Sequence, residues 1–328
     1  MDHRFISIAA SLLLIVFSSC QQSIKEKLPE TALPEKFDEQ QAVVSLLGKE
    51  LTPPDLPEAE AATGDSLLRM AKTYFDQEPA NEENVIRYGQ RLAYFHKFYA
   101  AINVYSTGLS FFPESIQLLR RRGYQFIVVR KFDLAVADLA KAAKLAENSS
   151  FPAGADGLPN RIDRPLGNNH FNIQYHLGVA YYLQGDYQKA KHSYETCLRY
   201  ANSDDWVIAT VNWLYMTYQY LKEREKANQL LKIVYQDMQI VENDTYYKRL
   251  MVYKGLLSAD SLTTWFGSAG EDIKQATAAE GYGLGHWYLM NGDKSMAMEV
   301  FRQVIDGEAW SSFDFMAAEA VLAAEAAD

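Results

Sequence analysis

The side chains best suited to catalysis are scattered along this chain of 328 residues. Five of its six histidines lie in segments of helical pattern, at His96, His170, His176, His192 and His286. None of them belongs to an HExxH pair, and the chain has neither a Walker phosphate loop nor a nucleophile elbow. The glycines between Gly281 and Gly285 follow no strand pattern, so they do not form a dinucleotide-binding loop. We therefore predict that the protein is not an enzyme and binds neither a metal nor a cofactor.

The overall charge and the cysteine content argue against two further classes of protein. The chain carries 42 acidic and 32 basic side chains, which give a net charge of −10 and a pI near 5.2. Nucleic-acid binding needs clustered excess Lys and Arg, so nucleic acid is not a predicted partner. Two cysteines are too few for a disulfide framework or a cysteine-rich zinc site. The hydrophobic content of 48% is enough for a folded core.

An apolar run near the N-terminus predicts export from the cytoplasm. Residues Phe5 to Phe17 are apolar except for two serines, and Arg4 precedes them. The run is shorter than the about 20 residues that a helix needs to span a bilayer, but it has the length of a signal-peptide core.

The residues after this run resemble the lipobox of bacterial lipoproteins. Two small residues precede Cys20, although Phe17 stands where lipoboxes usually carry an aliphatic residue. The resemblance implies that the signal peptide, residues 1–19, is removed and that Cys20 carries diacylglycerol and an N-acyl chain such as palmitate. Gln21 follows the cysteine, which in such lipoproteins implies the outer membrane of the bacterial envelope. The alternative is an ordinary cleaved signal peptide in which Cys20 has no role.

Residues 20–65 are predicted to form an acidic, proline-rich tether. They hold half of the ten prolines, and the segment from Lys25 to Asp65 has ten acidic and four basic residues. Proline stiffens such a segment, and like charge extends it. One apolar island, from Ala42 to Gly48, interrupts the tether. We expect either a short helix that packs on the first repeat or an extended segment that lies in the protein's own groove.

The remaining residues, 66–328, contain an internal period. Gly89 and Gly123 are 34 residues apart, and each is followed by alanine twelve positions later and by a large side chain sixteen positions later. Two antiparallel helices pack closely where one offers Gly or Ala and the other inserts Tyr, Phe or Leu, which explains the spacing. The same spacing begins at three further positions, Gly178, Tyr215 and Gly285.

This pattern resembles the tetratricopeptide repeat (TPR). The resemblance covers about residues 82–325 and implies an all-α fold, a right-handed superhelix of antiparallel helix pairs. It places tight turns at residues 131–133, 185–187 and 292–294, an irregular pair at 244–275 and a terminal capping helix at 312–324. Cys197 falls in a small-residue position of a second helix, where we expect it to pack in the core.

An insertion at about residues 148–169 interrupts the period between the second and third units. It is rich in Gly and Pro, which end helices, and it contains Arg161, Asp163 and Arg164. We expect either a lid or specificity loop at the edge of the groove or a tolerated surface insertion. A hydrolase site around Arg161, Asp163 and His170 is a weaker alternative to a non-enzymatic role.

In TPR proteins the first helix of each pair lines a concave groove, and the resemblance implies which side chains face it here. They are rich in tyrosine and amide groups: Gln90, Arg120, Tyr124, Tyr175, Tyr182, Asn212, Met216, Gln219, Tyr282 and His286. Such a surface suits an extended peptide, a partner helix or a glycan. The stretch from Val85 to Lys144 has ten basic and three acidic residues, which could attract an acidic partner, anionic headgroups or the protein's own tether.

The predicted function is therefore a lipid-anchored interaction module that binds a protein or peptide partner in its concave groove at the bacterial envelope. The alternative is a glycan- or nutrient-binding lipoprotein on the same TPR-like scaffold.

Overall fold

A computed structural model describes residues 36–54, 58–147, 149, 168–262 and 271–327 of the chain. In these ranges a hairpin of two short strands, β1 (Val43–Val44) and β2 (Glu50–Leu51), precedes thirteen α-helices. The helices are α1 (Glu58–Gln77), α2 (Glu82–Tyr94), α3 (Phe98–Phe111), α4 (Ile116–Val128), α5 (Phe132–Ala146), α6 (Asn169–Leu183), α7 (Tyr187–Tyr200), α8 (Asp204–Tyr220), α9 (Arg224–Leu231), α10 (Asp244–Tyr253), α11 (Glu271–Met290), α12 (Lys294–Ile305) and α13 (Phe313–Ala327). A short 3₁₀ helix, Ala259–Leu262, lies between α10 and α11.

Consecutive helices pack in pairs along the array. The main pairs are α2 with α3, α4 with α5, α6 with α7, α8 with α9, and α11 with α12. The first helices of successive pairs also contact one another, as α4 does with α6. Because about 71% of the described residues are helical and the pairs stack in order, the predicted all-α, TPR-like solenoid is confirmed.

The period of the sequence has a direct packing cause. A Cβ atom at Gly178 would lie 2.6 Å from the ring of Tyr194, and one at Gly123 would lie 2.7 Å from the side chain of Leu139. Gly89 approaches Tyr105 and Gly285 approaches Phe301 in the same way. Each glycine thus allows a large side chain of the second helix to reach the backbone of the first.

The predicted turns at residues 185–187 and 292–294 are confirmed, whereas the turn predicted at 131–133 lies slightly earlier, around Arg130, because α5 begins at Phe132. Gly185 and Gly292 have φ values of 76° and 84°, in the left-handed region that glycine adopts without a steric penalty. The next residue in each case, Asp186 or Asp293, accepts a hydrogen bond from a backbone N–H of the following helix, which caps that helix.

The array is irregular at the expected place. The helix α10 has ten residues, and in the described residues after it only the 3₁₀ helix follows before α11; the helix α9, which lies before the expected region, has eight residues. In the fourth unit Tyr215 takes the glycine position, and its ring stacks on Tyr253 of α10 at a centroid distance of 4.8 Å. The bulky ring therefore packs between neighbouring units.

One boundary and the conformation of one segment differ from the prediction. The helix α1 begins at Glu58, inside the segment expected to be tether, so the array starts earlier than residue 66. The apolar island from Ala42 to Gly48 is a hairpin, and the helical interpretation is wrong. The Ser45 hydroxyl accepts hydrogen bonds from the N–H groups of Leu47 and Lys49, and Gly48 adopts a φ of 80°, which together favour a turn.

Several predicted features lie outside the described residues. They are the signal peptide with Cys20, the tether before residue 36, and the part of the insertion that contains Arg161, Asp163 and Arg164. Among the described helices, none is both long enough and apolar enough to cross a membrane.

Candidate functional site

The C-terminal helix α13 packs against inner helices of the array. It was expected to cap the end of the array, and it does pack on α11 and α12, but it also contacts α6. The ring of Phe313, its first residue, lies 6.0 Å from Tyr124 in α4 and 5.9 Å from His176 in α6. The helix therefore enters the groove that the sequence pattern left open.

A buried ion pair fixes the start of α13. Arg249 in α10 is fully buried, and its guanidinium lies 2.7 Å from a carboxylate oxygen of Asp314. It also donates to the side-chain oxygen of Asn212 at 3.0 Å and to the carbonyl of Ala279. The Tyr246 hydroxyl donates to the other Asp314 oxygen at 2.8 Å. Burial lowers the pKa of Arg249, but the Asp314 carboxylate together with Tyr253 and Tyr246 raises it by more, so the pKa of Arg249 lies above its ordinary value.

A second ion pair holds the middle of α13. Arg130, in the turn between α4 and α5, lies 3.1 Å from one carboxylate oxygen of Glu319 and donates to the carbonyl of Trp310 at 2.7 Å. The other Glu319 oxygen accepts a hydrogen bond from the Leu46 N–H in the hairpin at 2.9 Å. Glu319 therefore links the two ends of the described chain to the second helix pair.

The ten predicted groove residues do not share one open surface. Gln90 is exposed, and Tyr124, Tyr175 and Gln219 are partly buried. The expectation that all ten face an open groove is wrong for the buried residues Arg120, Tyr182, Asn212, Met216, Tyr282 and His286. The hydroxyls of Tyr182 in α6 and Tyr282 in α11 are 2.6 Å apart, so the inner helices meet where the groove was expected to be open. A role in partner binding stays a prediction for all ten.

The histidines on these helices are not arranged for acid–base chemistry. Burial, with a smaller effect of Arg120, lowers the pKa of His176 to about 3, and burial with Arg249 does the same for His286. Outside the concave face, His170 stacks on Tyr200 at 4.8 Å. Within the described ranges, no group of three His, Cys, Asp or Glu side chains could hold a metal ion.

Cys197 has the predicted place in the core. It is fully buried, and its sulfur lies 3.6 Å from the carbonyl of Phe171 and 3.5 Å from the Thr210 hydroxyl. Burial raises the pKa of the Cys197 thiol to about 12, so the thiol stays protonated and unreactive.

A cavity of about 440 Å³ remains open on the concave face beside the start of α13. Its walls combine aromatic rings with hydroxyl, amide and carboxylate groups, from Tyr124, Tyr175, Glu242, Asn243, Thr245, Tyr246, Ala279, Ser311, Ser312, Phe313 and Asp314. The Trp213 indole donates to the Tyr175 hydroxyl at 2.9 Å, which orients that ring. Of the predicted groove residues, the structure brings only Tyr124 and Tyr175 to this cavity. The other lining residues escaped the sequence analysis because the loop before α10 and the start of α13 were not expected in the groove.

A larger cavity of about 680 Å³ lies between α5, α6 and α7. Five of its lining residues are basic or histidine: Lys144, His170, Lys189, His192 and Arg199. Of these side chains, the sequence analysis considered a role only for His170, in the hydrolase alternative, and for Lys144, in the basic stretch.

The residues before α1, here called the N-terminal segment (residues 36–54), dock on the first two helix pairs. The Phe37 N–H donates to the Asn103 side-chain oxygen at 3.0 Å, and the Asn103 amide donates to the Phe37 carbonyl at 2.9 Å. The Phe37 ring lies 5.7 Å from the ring of Tyr99 and 6.0 Å from that of Phe126. The Lys131 ammonium lies 5.5 Å from the centre of the Phe37 ring. The side chains of Tyr99, Asn103, Phe126 and Lys131 form what we call the Phe37 pocket.

Several basic side chains of the stretch from Val85 to Lys144 thus interact with other residues of the same chain. Arg122 pairs with Asp138, and Arg130 pairs with Glu319. Lys131 contacts the chain's own N-terminal segment, which was one of the three partners expected for this stretch.

One comparison with known proteins matches a repeat family to part of the chain. Residues 171–204, which contain α6 and α7, match the family model described as tetratricopeptide repeat. No curated protein matches the chain. A crystal structure of MamA is 15% identical, covers 63% of this chain and 100% of its own, and has a TM-score of 0.42. YrrB, described as a TPR protein with an unusual peptide-binding site, is 13% identical, covers 76% of this chain and 95% of its own, and has a TM-score of 0.41.

The TPR domain of P58(IPK) is 14% identical, covers 82% of this chain and 92% of its own, and has a TM-score of 0.24. Because these TM-scores are below 0.5, we draw no inference about ligands from the structural similarities. The family match and the packing of the chain itself identify a tetratricopeptide repeat at residues 171–204, set within an array of similar helix pairs.

Proposed function

We propose that this protein is an interaction module, anchored by lipid to the bacterial envelope, that binds a segment of a protein partner in its concave cavity. The observation that carries the proposal is the aromatic cavity of about 440 Å³ that stays open beside α13. A repeat scaffold of this kind presents an extended surface to partners, which favours binding over catalysis.

The chemistry of the cavity suits a side chain of a protein. Tyr124, Tyr246 and Phe313 offer large, rigid contact areas, and aromatic residues of this kind dominate the energetics of interfaces. The cavity volume lies within the range of small-ligand sites, so it could hold one or two anchoring side chains but not a whole helix.

A glycan or nutrient is the second candidate ligand. The same cavity places the Thr245 and Ser311 hydroxyls near aromatic rings, so a sugar could stack on a ring and form hydrogen bonds at its edge. This alternative needs no protein partner, which makes the two candidates separable by experiment.

Capture from detergent-solubilised membranes tests the site. In the variant Ser311→Trp, the indole would fill the cavity, so we expect loss of a stoichiometric protein partner. Ser66→Trp is the matched control, because Ser66 is exposed on α1, and it should capture the partner as the parent does. Capture unaffected by Ser311→Trp would contradict the concave site. Binding of soluble glycans by the purified protein, with no partner and with sensitivity to Ser311→Trp, would favour the alternative.

The membrane anchor is tested separately. The proposal of lipidation rests on the sequence before Cys20. Cys20→Ser should release the protein from membranes, whereas Cys197→Ser, which changes the buried thiol, should leave it attached. A Cys20→Ser protein that resists alkaline washing of the membranes would contradict lipidation.

A further inference from the structure

We propose that the Phe37 pocket is a docking site for extended segments of other proteins that carry an aromatic residue followed by acidic residues. In the isolated chain, residues 37–39 occupy the pocket as a built-in competitor. This inference goes beyond the proposed function, because it concerns a surface other than the concave cavity and names the chemistry of the partner.

The first argument is the way Asn103 holds the backbone. Its carboxamide accepts from the Phe37 N–H at 3.0 Å and donates to the Phe37 carbonyl at 2.9 Å. A carboxamide supplies both an acceptor and a donor, so it pairs with the amide and carbonyl of a single extended residue. Because neither bond involves the side chain of the bound residue, the same contact is available to any extended segment.

The second argument is the ring pocket, which gives side-chain selectivity. Tyr99 and Phe126 contact the Phe37 ring at 5.7 Å and 6.0 Å, the second in an edge-to-face arrangement. The Lys131 ammonium lies 5.5 Å from the ring centre, within the range of a cation–π interaction. An aromatic side chain is stabilised by all three contacts, whereas an aliphatic or basic side chain cannot form the ring–ring and cation–π interactions.

The third argument is charge around the pocket. Asp38 and Glu39 follow Phe37, and a Glu39 carboxylate oxygen lies 3.4 Å from the Asn103 amide nitrogen. The helices that form the pocket belong to the basic stretch from Val85 to Lys144. Its Arg122 and Arg130 pair with carboxylates of the chain, and Lys131 is the basic side chain at the ring itself. Such a surface attracts acidic residues that follow the ring.

The fourth argument is that residues 36–42 bury only one side chain before the chain is anchored again at the buried Val43. Among residues 36–42, only Phe37 is partly buried, and all the others are exposed. A single anchor with exposed neighbours is the way a short segment docks on a surface and leaves it again. A competitor in the same chain acts at an effective concentration in the mM range, so an external segment binds measurably once this competitor is weakened.

A fluorescence anisotropy experiment tests the proposal on the full chain with Cys20→Ser. The first probe is a labelled peptide with the sequence of residues 36–42. The second is a Gly/Ser peptide that contains only Phe-Asp-Glu from this sequence. We expect both to bind the Phe37→Ala protein at least tenfold more tightly than the parent, because the chain's own ring no longer fills the pocket and only its backbone competes. Adding Asn103→Ala should weaken binding at least tenfold, and Lys131→Met should weaken it severalfold.

Altered probes and a folding check serve as controls for the binding measurements. A probe with Ala in place of Phe should not bind, and one with Ser in place of both acidic residues should bind at least threefold more weakly. Circular dichroism melting of each variant shows that it is folded. Equal binding to parent and Phe37→Ala proteins, or binding unchanged by Asn103→Ala, would overturn the proposal.

Binding of the first probe alone would also overturn it, since the pocket would then serve only the chain's own segment. Ser311→Trp should leave the peptide affinity unchanged. A failure of the concave site in the membrane capture experiment therefore remains distinguishable from a failure of the Phe37 pocket.

Discussion

Two segments from opposite ends of the chain, α13 and the N-terminal segment, pack on the helix pairs in different ways. The helix α13 places Asp314 and Glu319, which are 3% and 1% exposed, against buried arginines. The N-terminal segment is held near its start by backbone hydrogen bonds and one ring, while the residues around Phe37 stay exposed. A buried charge that loses its partner is very costly, so α13 is part of the fold, whereas the start of the N-terminal segment is separable.

The two segments also touch each other. The Leu46 N–H donates to Glu319, and the Trp310 indole donates to the carbonyl of Thr52 at 2.9 Å. The hairpin therefore shares Glu319 with Arg130, whereas the pair of Asp314 and Arg249 joins α13 to α10. Substitutions of Asp314 and Glu319 should therefore lower the free energy of unfolding by different amounts.

The largest effect is expected from Asp314→Ala. It leaves the fully buried Arg249 without its carboxylate, which costs about 3–5 kcal/mol of unfolding free energy. Urea denaturation measures the change, with Asp237→Ala as the control at an exposed aspartate. A loss for Asp314→Ala no greater than that of the control would show that α13 is not fixed by this pair.

The substitution Glu319→Gln should have a smaller effect, of about 2–3 kcal/mol. The amide oxygen can still accept from the Leu46 N–H, but Arg130 loses its counter-charge and keeps only carbonyl partners. In the same urea experiment, a loss as large as that of Asp314→Ala would mean that the hairpin and α13 form one unit.

Low pH should lower the free energy of unfolding, because it favours protonation of histidines that are buried on the inner helices. The pKa values of His176 and His286 are about 3 in the folded chain, against an ordinary value of 6.5. Below pH 6.5 the unfolded chain therefore binds protons that the folded chain does not, and stability falls as the pH drops toward 3. At pH 5 the loss is about 2 kcal/mol for each histidine.

Comparing urea curves at pH 7 and pH 5 tests this expectation. His176→Phe should remove about half of the difference between the two pH values, whereas His192→Gln, at an exposed position, should not change it. An unchanged pH difference in His176→Phe would show that His176 is accessible to solvent in the folded chain.

The smallest effect is expected from Phe37→Ala. A fully buried phenylalanine costs about 3–5 kcal/mol when it is truncated, but Phe37 is only partly buried at the edge of the array, so we expect about 1 kcal/mol. The urea midpoint measures it, and a loss comparable to that of Asp314→Ala would place the N-terminal segment in the core.

The repeat architecture was predictable from the sequence because its cause is local. Each pair needs a small residue and a large one at a fixed separation, as with Gly178 and Tyr194, and both lie within one helix hairpin. The turns follow from glycine and aspartate at adjacent positions, as at Gly185 and Asp186.

The position at which α13 packs was not predictable from the same pattern. Its contacts join residues far apart in sequence, such as Arg130 with Glu319, and an Ala-rich terminal helix has the composition of an ordinary cap. The sequence of α13 did contain one indication of these contacts. Asp314 and Glu319 stand among apolar residues, and acidic residues on an apolar helix require buried partners, which Arg249 and Arg130 provide.

Hydrogen exchange followed by mass spectrometry tests the central claim most directly, because it measures the opening of each segment in the intact protein. We predict that the amides of α13 exchange as slowly as those of α6, through global unfolding. The amides of residues 36–42 should exchange through local opening, at least about 100-fold faster. Exchange of α13 at the rate of residues 36–42 would contradict the account, because the concave face would then be open in solution.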